Sequence, residues 1–146
     1  MSVDVETRTV IERPVDVVAG FASDPTNAPA WYANITRVDW KTAPLVGVGS
    51  IVAFEARFLG RTLRYDYEIV EFVAGERLVM RTSQGPFPMQ TTYTWRSSGP
   101  ARTEMMLRNN GEPTGFSRLV TPLMATAMRR ANRKDLAKLK RLLETS

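Results

Sequence analysis

The side chains that could perform chemistry in this sequence are tyrosines, acids and arginines, because histidine and cysteine are both absent from its 146 residues. Histidine is the usual general base at neutral pH and the commonest metal ligand. Its absence, together with that of cysteine, excludes Ser-His-Asp triads, Cys-His pairs and ordinary zinc sites. The four lysines lie outside the apolar strands, which disfavours a desolvated Schiff-base lysine. We therefore expect no cofactor and no catalytic metal.

One stretch of the chain carries closely spaced acids that could act as acid and base. It contains Glu55, Arg57, Arg64, Asp66 and Glu68. These charges alternate with apolar residues, so on strands they share the face that points away from the core. We interpret them as a solvated surface lattice. The glycines of residues 47–50 lack the following helix and lysine of a phosphate-binding loop, so we interpret this segment as a plain loop.

The other face of the same strands is rich in aromatic and sulfur-containing side chains. Buried Tyr and Trp need polar partners, and a closed core would more simply use Leu, Ile and Phe. Methionine either fills irregular gaps or forms an adaptable pocket wall. Ordinary core and ligand cavity are both open interpretations, and we favour the cavity. The candidate ligand-binding residues are Trp31, Phe54, Tyr65, Tyr67, Met80, Tyr93, Trp95, Met105, Met124 and Met128. No catalytic residue is assigned.

The elements that must position these side chains begin with a strand over residues 3–11, where apolar and charged residues alternate. Pro14 suits the first position of a short helix, and Asp24-Pro25 ends it. We expect a second short helix around residues 27–34 and a strand over residues 35–42. Two short helices therefore separate the first two strands.

Residues 50–110 are typical of an antiparallel meander, because turn signals recur at regular spacing. These signals are Leu59-Gly60, Ala74-Gly75, Gly85-Pro86 and Gly99-Pro100. A two-residue turn at Leu59-Gly60 predicts the register of the first hairpin, since a slip by one residue would mix apolar and charged faces. The predicted pairs are Val52 with Tyr67, Phe54 with Tyr65, Ala56 with Leu63, and Glu55 with Arg64.

A long helix is predicted over residues 115–144, where apolar residues recur at helical spacing. The predicted stripe is Phe116, Leu119, Val120, Leu123, Met124, Ala127, Met128, Ala131, Leu139, Leu142 and Leu143. Pro122 should kink this helix or restart it with Thr121 as the N-cap. A single helix cannot fill the concavity of the meander, so a cavity should remain between them. Such a cavity is the default ligand-site hypothesis.

The positive charge of the chain is concentrated at its C-terminal end, where residues 114–146 hold eight basic and two acidic residues. The basic residues Arg129, Arg130, Arg133, Lys134, Lys138, Lys140 and Arg141 could bind nucleic acid or an anionic membrane. Interleaved leucines favour the solvated side of an amphipathic helix instead. No aromatic residue is interleaved with these charges, which disfavours binding of single-stranded nucleic acid by stacking.

Four segments carry a resemblance to a known family. They are IERPVDVVAGFASDPTNAPAWYANI, PLVGVGS, RYDYEIVEFVAGERLVMRTSQGPFPMQTTYTW and GFSRLVTPLMATAMRRANRKDLAKLKRLLE. With them the sequence resembles the Bet v 1-like START/SRPBCC superfamily, and especially its bacterial polyketide cyclase/dehydrase-like branch. The resemblance implies a single α+β domain over residues 1–146 with the helix-grip fold. In that fold a curved seven-stranded antiparallel sheet wraps around a long C-terminal helix.

The resemblance also bears on function, because similar members bind lipids, sterols, hormones or polyketides, and a minority catalyse cyclisation or dehydration. This sequence has no branch-specific catalytic motif. Our leading hypothesis is binding or carriage of a hydrophobic, ring-containing small molecule in the internal cavity. One alternative is a cyclase/dehydrase-type enzyme in which Tyr65, Tyr67 or Tyr93 orients an enol or hydroxyl group. A second alternative is a helper protein that docks on a partner or a membrane through its basic helix.

The remaining expectations concern location and partners. No apolar run approaches the roughly 20 residues that a membrane span needs. The first residues show no signal-peptide pattern. We therefore expect a cytoplasmic monomer or homodimer that binds no nucleic acid and does not insert stably into a membrane.

Overall fold

Seven strands and three α-helices make up the part of the chain that the computed structural model describes, namely residues 3–58, 60–84, 88–112 and 121–146. The strands are β1 (Val3–Ile11), β2 (Ile35–Trp40), β3 (Ile51–Phe58), β4 (Arg61–Val73), β5 (Arg77–Gln84), β6 (Met89–Gly99) and β7 (Arg102–Gly111). The helices are α1 (Val15–Ala22), α2 (Ala28–Trp31) and α3 (Thr121–Glu144), with a 3-10 turn at Pro25–Asn27.

The strands form one antiparallel sheet in the order β1-β7-β6-β5-β4-β3-β2. Strands β2 to β7 are a meander, and β1 joins its far edge beside β7. The sheet curls into a half-barrel, and α3 packs against β1 and α2. The predicted helix-grip fold is confirmed, including the two short helices between the first two strands.

The first hairpin of the meander has the predicted register. Val52 pairs with Tyr67, Phe54 with Tyr65, Ala56 with Leu63, and Glu55 with Arg64. Gly60 has a φ of 77°, a left-handed conformation that glycine adopts without a steric penalty. Its predicted turn partner Leu59 lies outside the described residues. This register turns the aromatic side chains of β3 and β4 towards α3.

Two predicted elements differ from the structure in length. The second short helix was expected around residues 27–34, but α2 ends at Trp31 because Tyr32 is extended. Strand β2 ends at Trp40, two residues before the predicted end. For the long helix, the structure describes Thr121–Glu144, and the predicted residues 115–120 lie outside the described part.

The apolar stripe of α3 is also placed differently. Leu123 and Leu142, predicted to lie on the stripe, are 66% and 37% exposed. The buried apolar residues of α3 are Met124, Leu136, Leu139 and Leu143. Steps of three and four residues from Met124 to Leu143 pass through Met128, Asn132 and Asp135, and this row faces inward. The prediction counted only apolar residues. It therefore included the exposed Leu123 and Leu142 and omitted the buried Asn132 and Asp135.

Candidate ligand cavity

A cavity of about 150 Å³ lies between the concave face of the sheet and α3. Its apolar wall is formed by six of the candidate residues, namely Phe54, Tyr65, Tyr67, Met80, Tyr93 and Met128. The strand period of two brings the first five to one face, and the helix supplies the sixth. Exposed Arg57 also borders the cavity, so one side of it reaches the protein surface.

The other four candidates do not border this cavity. Trp31, Trp95 and Met105 belong to the packed core, where α1 contacts β6 and β7. Met124 is buried in a smaller cluster with Val3 and Val5. Trp31 lies next to the cavity wall, because its ring centroid is 4.2 Å from that of Tyr32 and 5.8 Å from that of Tyr93. Whether any of the ten residues binds a ligand remains a prediction.

The aromatic wall is held by contacts between its own rings. Phe54 meets Tyr67 edge to face at a centroid distance of 5.6 Å, and Tyr65 lies 5.8 Å from Tyr67. Such arrangements stabilise aromatic pairs beyond the area that they bury. The wall is therefore built by neighbouring rings on β3 and β4, and its shape is set by the hairpin register.

Two tyrosine hydroxyls meet at one side of the cavity. The Oη atoms of Tyr32 and Tyr93 are 2.5 Å apart, and either can be the donor. Burial raises the pKa of both phenols. Both hydroxyls are therefore neutral at physiological pH. Tyr32 was not among the predicted residues. The helix predicted around residues 27–34 included it, but α2 ends at Trp31 and Tyr32 is extended, so its side chain takes another direction than that helix would give it.

A buried carboxylate borders the same side of the cavity. Asp135 is 2% exposed, and its Oδ1 atom accepts a hydrogen bond of 3.0 Å from the backbone N–H of Ala33. Burial raises the pKa of Asp135 to about 6, against the opposing effects of the Ala33 N–H and of Lys138. Asp135 also contributes to the raised pKa values of Tyr32 and Tyr93. The carboxyl thus titrates close to neutral pH beside two neutral phenols.

Further polar side chains complete the lining. Thr91 donates a hydrogen bond of 2.9 Å to Oδ1 of Asn109, so these two are paired. Asn132 is 5% exposed, and its Nδ2 atom has no hydrogen-bond partner among the described residues. Sequence reasoning missed Asn132 and Asp135 because they stand in the basic stretch. The available signal was their spacing, which places both on the helix face of Met128 and Leu139.

The charged lattice predicted for β3 and β4 lies on the outer face, with one exception. Arg64 is 3.4 Å from Glu55, and Lys41 is 3.5 Å from Asp66. Arg57 is the exception, because it borders the cavity near the end of β3, where its backbone N–H donates to the Asn34 carbonyl. Arg57 can border the opening of the cavity because it lies near the end of β3, next to the loop that contains Asn34.

The basic residues of α3 are mostly solvated. Arg130, Arg133, Lys134, Lys138 and Arg141 are exposed. Lys140 instead donates from Nζ to the Val10 carbonyl and to Glu144, both at 2.7 Å. This stretch therefore forms the solvated side of an amphipathic helix, as the leucine spacing predicted.

Among the described residues there is neither a cluster of acids for a metal ion nor a helix that could span a membrane. Within residues 3–58, 60–84, 88–112 and 121–146, no group of three or more acidic residues is placed to hold a metal ion. In the same ranges, no helix is long and apolar enough to cross a membrane. The absence of a cofactor remains a prediction.

Several solved structures share this architecture at low sequence identity. A protein from Thermus thermophilus superposes with a TM-score of 0.82 at 19% identity, covering 96% of each chain. The Zhui aromatase/cyclase from a Streptomyces species gives 0.82 at 14% identity, covering 99% of this chain and 94% of that one. A START superfamily protein from Mycobacterium smegmatis gives 0.75 at 14% identity, covering 97% and 94%. These similarities support the fold.

The family follows from the sequence itself. No curated protein matches the chain closely enough to count as a relative. A family model described as polyketide cyclase / dehydrase and lipid transport matches residues 2–144, which is nearly the whole sequence. The chain therefore belongs to the polyketide cyclase/dehydrase and lipid transport family, and its fold is the Bet v 1-like START fold that its segments resemble.

Proposed function

We propose that this protein binds or carries a hydrophobic, ring-containing small molecule in the cavity beneath α3. The observation that carries the proposal is the cavity of about 150 Å³ walled by aromatic and methionine side chains. Apolar surface removed from water contributes about 25 cal/mol per Å². Rings and thioethers on the wall can supply this contribution without any charged group. Membership of the family, whose description includes lipid transport, supports the same function.

The volume limits the size of the enclosed part of the ligand. An engineered apolar cavity of about 150 Å³ in another protein binds benzene. We therefore expect one ring to be enclosed, with any further part of the ligand extending past Arg57 at the rim. The methionines Met80 and Met128 can adapt to differences in ligand shape because their side chains are unbranched and flexible.

Native mass spectrometry of the freshly purified protein tests this proposal. We expect a mass above that of the 146-residue chain, which returns to the chain mass on denaturation. The control is Arg133→Gln with Arg141→Gln, which removes two exposed charges of α3 and should leave the complex intact. If no complex forms with a co-purified molecule or an added neutral aromatic probe, the proposal is wrong. If the charge variant alone loses the complex, binding lies on the outside of α3.

One observation favours a second function in the same cavity. Asp135, with a pKa of about 6, lies near the hydroxyl pair of Tyr32 and Tyr93. A carboxyl that titrates near neutral pH can move a proton in either direction. The second candidate is therefore a cyclase/dehydrase-type enzyme that removes a proton beside a carbonyl group. The test is deuterium exchange at that carbon of a bound ketone, followed by NMR. Exchange that is faster with the protein and slowed by Asp135→Asn supports it, and exchange at the uncatalysed rate excludes it.

A further inference from the structure

We propose that Asn132 and Asp135 form a polar subsite that selects a neutral ring compound carrying both a carbonyl and a hydroxyl group. The proposal rests on the proposed function, because it names the class of ligand that the cavity takes. Asn132 and Asp135 are three residues apart on α3, so they share one face of the helix. Both border the cavity, and both are almost fully buried.

The side-chain amide of Asn132 indicates that the ligand carries a carbonyl group. Its Nδ2 atom is buried and has no partner in the described part of the chain. A buried donor without a partner costs about 1–3 kcal/mol. The amide can turn about its terminal torsion, which has a broad profile, and so present Nδ2 to the cavity. A ligand carbonyl placed against Asn132 would satisfy this donor.

The indole nitrogens of Trp31 and Trp95 also lack partners, but their situation differs. Each belongs to a large ring whose burial in the packed core offsets the cost of one unmade hydrogen bond. Neither borders the cavity. Asn132 has no comparable apolar surface, and an apolar residue at its position would line the cavity without the cost. An amide at the cavity wall is therefore best explained by a ligand.

The carboxyl group of Asp135 indicates that the ligand carries a hydroxyl group. Its Oδ1 atom accepts from the Ala33 N–H, and a carboxylate has capacity for further donors. Lys138 on the same helix lowers the pKa of Asp135, and Asp135 in turn raises the pKa values of the facing phenols of Tyr32 and Tyr93. The two phenols are hydrogen bonded to each other. A ligand hydroxyl would donate to the carboxylate in a charge-assisted hydrogen bond.

The same carboxylate excludes ligands of another class. A fatty acid or an aromatic acid would bring a second negative charge against Asp135, and like charges at short distance repel strongly in a buried site. The cation that borders the described cavity is Arg57, which is exposed at the rim. An anionic ligand would have to pair with Arg57 and leave Asn132 unsatisfied.

The test compares four small ring compounds at neutral pH, each competing with the neutral fluorescent probe N-phenyl-1-naphthylamine. They are ethylbenzene, acetophenone, 3-hydroxyacetophenone and benzoate. We expect acetophenone to bind about three- to tenfold more tightly than ethylbenzene, and the hydroxyl group to add a similar factor. Benzoate should bind most weakly.

Two variants test which residue is responsible for the affinity gained with the carbonyl group and which for the affinity gained with the hydroxyl group. Asn132→Leu should remove the advantage of acetophenone over ethylbenzene and leave ethylbenzene affinity within about twofold. Asp135→Asn should reduce the advantage of the hydroxyl compound and improve benzoate binding. The control is Lys134→Leu, which adds a leucine at an exposed position of α3. If Asn132→Leu does not fold, Asn132→Ala removes the same donor with a smaller side chain.

Two results would overturn the subsite without touching the proposed function. One is equal affinity of the wild type for all three neutral compounds. The other is tightest binding of benzoate, with loss of that binding in Arg57→Gln. Failure of every compound and of the probe to bind would instead overturn the proposed function itself. The competition experiment therefore separates the two claims.

Discussion

One end of the concave face of the sheet is filled with protein, and the other end holds a cavity, although both ends present aromatic and sulfur-containing side chains. At the packed end, Trp95 and Met105 are covered by α1 and are at most 3% exposed. At the cavity end, Tyr65 and Tyr67 have comparable chemistry but border empty space. The two ends differ in the helices that cover the sheet, and not in the side chains that the sheet presents.

The helix α3 contains the same contrast along its length. Its C-terminal half inserts Leu136, Leu139 and Leu143 into the core. The preceding turns face the sheet with Met128, Ala131, Asn132 and Asp135. Small and polar side chains leave space that leucines would fill. The position of the cavity is therefore determined by which residues α3 turns towards the sheet.

The largest expected difference between the two ends is in stability. Trp95→Ala should lower the free energy of unfolding by about 3–5 kcal/mol, because it leaves a large void in a packed region. Tyr65→Ala should cost less, about 1–3 kcal/mol, since its ring already borders free space. Urea denaturation followed by circular dichroism measures both. Equal costs would contradict the distinction between a packed end and an open end.

A second expected effect concerns Asp135 and pH. The folded state binds the Asp135 proton more tightly than the unfolded state does, since its pKa rises from 3.8 to about 6. The contribution of Asp135 to stability is therefore most favourable below about pH 4, falls as the pH rises to about 6, and then stays constant. Asp135→Asn should be more stable than the wild type by about 1–3 kcal/mol at neutral pH.

The measurement is denaturation of both proteins across this pH range. The difference in their free energies of unfolding should grow between about pH 4 and pH 6 and then level off. Other acids such as Asp4 and Glu144 have lowered pKa values, but they are present in both proteins and cancel in the difference. A constant difference would show that Asp135 does not titrate as its burial implies.

The sequence allowed the sheet to be predicted better than the cavity. Alternation over β1 and β3 to β7 has a period of two, so a wrong register exposes a whole apolar face and is easily rejected. The pairing of Phe54 with Tyr65 followed from this rule and from the turn signal at Leu59-Gly60. Which inward residues line a void is a different question, because it depends on what covers them. Trp95 and Tyr93 stand on the same face of β6, yet only Tyr93 borders the cavity.

The polar side of the cavity was missed for a related reason. Asp135 is one acid within a basic stretch, and composition places such a stretch in solvent. Its burial follows from its position on the same side of α3 as the buried Leu136 and Leu139. The exposed Leu123 and Leu142 do not mark the inward face of the helix. Tyr32 was missed because the helix predicted around residues 27–34 extends past the actual end of α2 at Trp31, so its helical period does not apply to Tyr32.

The smallest expected effect lies on the outer face of the sheet. Arg64→Gln removes an exposed ion pair with Glu55, whose side chains are 3.4 Å apart. Exposed pairs contribute about 0–1 kcal/mol, so the free energy of unfolding should change by no more than about 1 kcal/mol. Affinity for a neutral probe should not change, as equilibrium titration can verify. A loss of probe affinity would place part of the binding site on the convex face.

The central claim is that the space beside α3 binds an apolar ring, and one pair of variants tests it most directly. Ala131 borders the cavity, whereas Ala137 is exposed on the same helix. Ala131→Phe should fill the cavity and weaken binding of N-phenyl-1-naphthylamine by about tenfold or more, because the probe loses the area that it buries. Ala137→Phe should bind the probe within about twofold of the wild type. Thermal unfolding must show that both variants fold. Equal probe affinity in both folded variants would contradict the claim that the cavity is the binding site.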